Sequence, residues 1–167
     1  TLIAETGGQN AMLVDSSALP EQVVHDSIYS AFNSAGQRCS ALRVLCVQED
    51  IEPRTLDLLR GYMDELVIGD PGYLATDVGP VIDEEARDML EGHAKRMTAE
   101  GRLIKRCELG PDCAHGTFVA PAAFEIDALS RLQREVFGPI LHVVRFAGDR
   151  LDEVIEAVNA TGYGLTL

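Results

Sequence analysis

The run LRVLCV at residues 42–47 narrows the possible folds more than any other stretch of this chain. Six residues, apolar apart from Arg43, suit a buried strand and are too few for a buried helix. Directly after it, Leu56, Leu59, Met63 and Leu66 recur at helical spacing. The same alternation runs along the whole chain. Leu2-Ile3-Ala4 and Ala11–Val14 read as strands around a tight turn at Gly7-Gly8. Asp15-Ser16-Ser17 offers helix caps ahead of Pro20, and Val24, Ile28, Ala31 and Phe32 mark the helix face that follows. Gly69–Pro80 is a loop, and Asp83 caps a helix that runs to about Glu100 and stops at Gly101. Leu103–Cys107, Phe118–Ala123 and Pro139–Phe146 are further strands, and Leu151–Val158 is a last helix. Strands alternating with helices predict an α/β fold with a largely parallel sheet.

The chain of 167 residues is sized for one domain. A domain of that length buries roughly 70% of its unfolded surface, enough for a core. Its net charge of −13 sets up a field that repels phosphate backbones, so nucleic acid is not an expected partner. No window approaches the length of apolar sequence needed to span a membrane. TLIAETGGQN has no basic region and is no signal peptide, so a cytoplasmic location is expected. NATGYGLTL stops on what reads as the start of a strand, and the first residues begin as abruptly. Both ends are expected to be cuts through a longer polypeptide.

The four cysteines, Cys39, Cys46, Cys107 and Cys113, form no C-x-x-C pair, which suits a reducing compartment. Cys113-Ala114-His115 has metal-ligating residue types without a second pair. Pro111, Asp112 and Gly116 make it a loop, so no metal site is expected. Cys46 lies inside the LRVLCV strand and reads as core, with Cys107 and Cys113 as ordinary thiols. Cys39 differs. It follows an amphipathic helix and the small Ala35-Gly36-Gln37, lies between Arg38 and Ser40, and has Arg43 close behind, which is the setting of a presented thiol. Arg38, Arg43 and nearby backbone N–H groups would favour its thiolate.

Three short motifs carry polar chemistry: ETGGQ with Glu5, GQRCSA with Cys39, and REVFGPI with Glu135 and Phe137. Thirty-four positions separate Glu5 from Cys39, and ninety-six separate Cys39 from Glu135. In order and spacing the three resemble the aldehyde dehydrogenase superfamily, and the resemblance runs from end to end of the chain. ETGGQNAMLVD, SAFNSAGQRCSALR, DPGYLATDVGPVID and VNATGYGLTL resemble its glutamate-semialdehyde (1-pyrroline-5-carboxylate) dehydrogenase branch, as found in the C-terminal part of bifunctional bacterial proline-utilisation proteins.

The resemblance implies a three-layer catalytic domain over 1–167, a mostly parallel sheet flanked by helices. It implies Cys39 as nucleophile and Glu5 as the general base for thioester hydrolysis, Glu135 on the nicotinamide ribose and Phe137 beside the nicotinamide ring. Ser40 is implied at the substrate carboxylate, with Arg38 as the cation usual at its position. Such an enzyme oxidises L-glutamate γ-semialdehyde to glutamate with NAD; FAD enters only if a proline dehydrogenase module lies upstream. Other aldehyde specificities, and a structural copy of the fold without turnover, are the alternatives. A degenerate copy would lack the nucleophile, and Cys39, Glu5 and Glu135 are all present. The family's oxyanion asparagine lies upstream of Thr1 and by motif position is neither Asn10 nor Asn33. The NAD-binding domain also lies upstream, and a remaining carboxylate anchor follows Leu167. The expected partners are thus an aldehyde substrate, the rest of a parent chain and a second copy of the parent. The 167-residue piece by itself is expected to fold but not to turn over.

Overall fold

The computed structural model describes residues 1–2 and 7–167. The LRVLCV run forms β2 (Leu42–Gln48), buried at every position except its last. On one side it pairs in parallel with β1 (Asn10–Val14), and on the other with β5 (Ile140–Phe146). β5 also pairs in parallel with β4 (Ala122–Glu125), and β4 pairs antiparallel with β3 (Arg102–Arg106). The five-stranded sheet has the order β1-β2-β5-β4-β3, mostly parallel, as the alternation of elements predicts.

Helices cover both faces. Met12, Leu45 and Val143 lie in register across β1, β2 and β5 and so share one face. Ser27 of α1 (Pro20–Phe32) touches Met12 on that face, and α2 (Glu52–Asp64) packs on α1. His142, one position from Val143, points to the opposite face and meets His93 of α3 (Glu84–Glu100). α4 (Leu151–Asn159) follows β5. The arrangement has three layers, and Leu45, Phe124, Ile140 and Leu141 fill the centre with no exposed surface.

Local chemistry accounts for most boundaries. Pro20 starts α1 at its first turn, where its missing N–H costs nothing. The Asp15-Ser16-Ser17 cap is not used: Leu19 is the N-cap residue, and Asp15 instead accepts the Ser17 N–H and hydroxyl in a turn of its own. Asp83 caps α3 as expected, accepting the Ala86 N–H at 2.8 Å. β4 begins four residues later than the apolar run from Phe118 suggests. Pro121 has no N–H to give a ladder, and pairing starts at the next residue. Ile3 and Ala4 of the first expected strand lie outside the described residues, and the chain beyond Asn159 is turn and coil, not strand. Among the described residues no helix is long and apolar enough to cross a membrane.

This architecture ranks two substitutions. Phe124→Ala empties a fully buried site and is expected to cost about 3–5 kcal/mol, whereas Asp83→Ala loses one cap for about 1 kcal/mol. Urea unfolding of the two variants checks this. Equal losses, or the reverse order, would contradict the placement of the core.

Candidate active site

The turn that carries Cys39 is built by left-handed backbone. Ser34, Ala35 and Gly36 have φ of 57°, 51° and 65°, which reverses the chain immediately after α1. Ser34 and Ala35 take this conformation against their own preference. At Gly36 nothing larger fits, because a Cβ there would lie 2.2 Å from the Gly138 carbonyl oxygen. The GQRCSA and FGP segments therefore meet backbone to backbone. On the far side of the turn, the Gln37 side-chain oxygen accepts the Ile82 N–H at 2.8 Å. Where the turn re-enters the sheet, Ser30 of α1 accepts the Leu42 N–H.

Cys39 itself is exposed, as is Ser40 beside it. Its backbone is fixed from the opposite side. Asn10 Nδ2 donates to the Cys39 carbonyl at 2.7 Å and to the Ala41 carbonyl at 2.8 Å. Gly8 lies so close that a Cβ would come within 2.5 Å of the same Cys39 oxygen. Glu5 lies outside the described residues.

Arg43 joins these pieces. The β1–β2 register jumps from Asn10↔Leu42 to Ala11↔Val44, and the β2–β5 pairing begins at Val44. Arg43 is thus the extra residue of a β-bulge, a device that re-aims a side chain. Its side chain is 1% exposed. Nε and Nη2 donate to Glu135 Oε1 at 3.3 and 3.1 Å, Nη1 to the Gly138 carbonyl at 3.2 Å, and Nη2 also to the Arg38 carbonyl at 3.1 Å. The Phe137 ring lies 5.2 Å from the guanidinium carbon. One cation therefore holds the thiol turn, Glu135 and Phe137 together. Burial lowers its proton affinity from the ordinary value, and the Glu135 carboxylate raises it again.

Both arginines near Cys39 have partners of their own. Arg43 is spent on Glu135 and on two carbonyls, and Arg38 is half-buried with its guanidinium 6.0 Å from the centre of the Tyr29 ring. Among the described residues neither cation hydrogen bonds to Cys39. The bulge at Arg43, the clamp by Asn10 and the Gln37 contact were not legible in the motifs, because each depends on a partner far along the chain.

Glu135 is held through one carboxylate oxygen only. Arg43 takes only Oε1. Oε2 lies over Gly7, where a Cβ would come within 2.8 Å, so glycine leaves this oxygen uncovered on that side. A cleft of about 1190 Å³ between α3 and residues 127–136 borders Glu135 but not Cys39. Among the described residues no group of three or more His, Cys, Asp or Glu could hold a metal ion.

The model for the aldehyde dehydrogenase family matches residues 1–167. The chain belongs to the aldehyde dehydrogenase family. It is 56% identical to the bifunctional protein PutA of Klebsiella aerogenes, over 99% of this chain and 13% of that protein. It is 38% identical to the 1-pyrroline-5-carboxylate dehydrogenase of Geobacillus kaustophilus, over 99% of this chain and 32% of that protein. A crystal structure of PutA from Bradyrhizobium japonicum superposes with a TM-score of 0.93 at 53% identity, over 98% of this chain and 16% of that one. The chain thus spans about an eighth to a third of the curated relatives it matches.

Within this family member the cysteines separate by setting. Burial pushes the Cys46 thiol up to about 12 and the Cys107 thiol up to about 11. Cys107 donates to the Met63 carbonyl, and Cys113, which the sequence placed in an open loop, is buried and donates to the Ile68 carbonyl. Limiting iodoacetamide followed by peptide mapping should label Cys39 ahead of the other three. Equal or prior labelling of any other cysteine would contradict this geometry.

Proposed function

We propose that residues 1–167 are the thiol-bearing catalytic domain of an NAD-dependent aldehyde dehydrogenase that oxidises L-glutamate γ-semialdehyde to glutamate in proline catabolism. The observation that carries this reading is the exposed Cys39 on a turn cross-linked by Arg43 to Glu135 and Phe137. The likeness to PutA and to 1-pyrroline-5-carboxylate dehydrogenases supports the substrate. The activity belongs to a longer protein, with an NAD-binding domain upstream and FAD only if a proline dehydrogenase module is also present. That parent is cytoplasmic and assembles as a homo-oligomer.

The Cys39 thiolate adds to the aldehyde carbon, and the carbonyl π electrons move onto oxygen to give a thiohemiacetal anion. Backbone N–H groups near Cys39 help to hold that oxyanion, together with the family's upstream asparagine. Bound NAD supplies the hydride acceptor. When the oxyanion collapses, the C–H pair leaves as hydride and a Cys39 thioester remains. Glu5 takes a proton from water, the hydroxide attacks the thioester carbonyl, and the C–S bond breaks to release glutamate and the thiolate. Glu135 would hold the nicotinamide ribose through Oε2 while Arg43 holds its other oxygen, and Phe137 would border the ring. Ser40 contacts the substrate carboxylate, and Arg38, over Tyr29, supplies positive potential at the mouth of the site.

Separating the two half-reactions tests the reading. In the full-length parent, Glu5→Gln is expected to keep a stoichiometric burst of NADH from glutamate semialdehyde and to lose steady-state turnover. Cys39→Ser should lose both. A Glu5→Gln enzyme with full turnover would remove Glu5 from the chemistry, and a Cys39→Ser enzyme that still gave a burst would end the proposal.

A further inference from the structure

Arg43 is 1% exposed, so the backbone of the bulge residue lies away from water along with its side chain. A buried carbonyl needs a donor. His142 Nδ1 lies 3.1 Å from the Arg43 oxygen, and His142 has no exposed surface. A carbonyl only accepts, so Nδ1 carries the proton. In a neutral ring Nε2 must then accept. The atom facing it at 2.8 Å is His93 Nε2, which must therefore be the donor. That leaves His93 Nδ1 as an acceptor, and Arg96 Nη2 lies 3.2 Å from it. Since arginine only donates, the last link agrees with the first. The two rings meet edge-on at 5.1 Å between centroids. The contacts admit one proton arrangement with both rings neutral: Arg96 to His93, His93 to His142, His142 to the Arg43 carbonyl.

We propose that His93 and His142 are positioning residues: a neutral, one-directional imidazole chain that sets the Arg43 backbone and, through the Arg43 side chain, holds the Cys39 turn against Glu135 and Phe137. The proposal rests on Cys39 being the nucleophile and adds two residues that touch neither substrate nor cofactor. Nothing in the local motifs points to them. His142 lies inside an apolar strand and His93 on a helix forty-nine positions away.

Most groups facing the pair disfavour the cation. Arg96 of α3 and Arg134 of the segment before β5 disfavour a cationic His93, opposed by Glu100 of α3. His93, the Arg43 side chain of β2 and Arg96 disfavour a cationic His142, opposed by the hydrogen bond to the Arg43 carbonyl. With burial as the largest cause, His93 falls to about 4 and His142 to about 3, from an ordinary value near 6.5. The folded values are depressed, so the chain contributes fully above about pH 6.5 and is lost as pH falls toward 4. A proton on either ring would set two donors face to face.

The test combines a spectroscopic signature with a rescue. In histidine-labelled protein at pH 7, nitrogen NMR should show His142 as the Nδ1–H tautomer and His93 as the Nε2–H tautomer, with a scalar coupling between their Nε2 atoms. The His142 Nε2–H tautomer, or a charged ring, would overturn the proposal. In the same chain, His93→Leu strands the His142 acceptor and is expected to change the Cys39 alkylation rate at pH 8 roughly tenfold, the weight of one buried hydrogen bond. His93→Gln keeps a donor at the Nε2 position and should restore the rate. Should His93→Leu fail to fold, His93→Gln still decides: a rate far from that of the unaltered chain overturns the proposal. Equal rates in all three proteins overturn it as well. If tautomers and rescue hold while the parent makes no NADH, the dehydrogenase reading fails and the imidazole chain stands.

Discussion

A single buried cation organises this structure's chemistry. Arg43 stands in a β-bulge, and its planar fork reaches Glu135, Gly138 and Arg38 at once. Lysine has no such fork, and an apolar residue would leave Glu135 with a half-buried charge and no partner for Oε1. Removing one partner of a buried ion pair typically costs about 3–5 kcal/mol, so stability and site geometry depend on the same group. The bulge makes this possible. In regular pairing, its side chain would be set by the strand's alternation.

The sheet serves the site in a definite way. β2 and β5 are neighbours in the middle of the order, and their ends bring the GQRCSA turn and the FGP segment together. Gly36 and Gly138 then meet at backbone distance. β1 brings Asn10 and Gly8 to the other side of Cys39. Three motifs far apart in sequence become one site because three parallel strands begin at one edge.

Much of this was legible in the sequence. The LRVLCV strand, the helical repeat from Leu56 and the Asp83 cap are local signals and appear in the structure, although α2 ends at Asp64 and leaves Leu66, the last residue of that repeat, beyond the helix. The exposed thiol was legible too, because polar neighbours and small residues around Cys39 are local as well. The failures have physical reasons. Asp15 looked like a cap but lies too far ahead of Pro20, and Pro121 delayed β4. Arg43 looked like a cation for the thiolate, yet its partner, Glu135, is ninety-two positions away. His142 reads as one polar residue in an apolar run, and only its tertiary contacts give it a role. Long-range pairings of this kind have no local signature in a single sequence.

The most direct test of the account is hydrogen exchange on Arg43→Lys, which keeps the charge and removes the fork. Amide exchange by mass spectrometry would follow residues 36–41 and 135–140 together, with α2 as an internal reference. The account predicts that both segments become faster in parallel while α2 is unchanged, because one guanidinium holds the two. Faster exchange in only one segment, or in neither, would contradict the claim that Arg43 joins the thiol turn to Glu135 and Phe137.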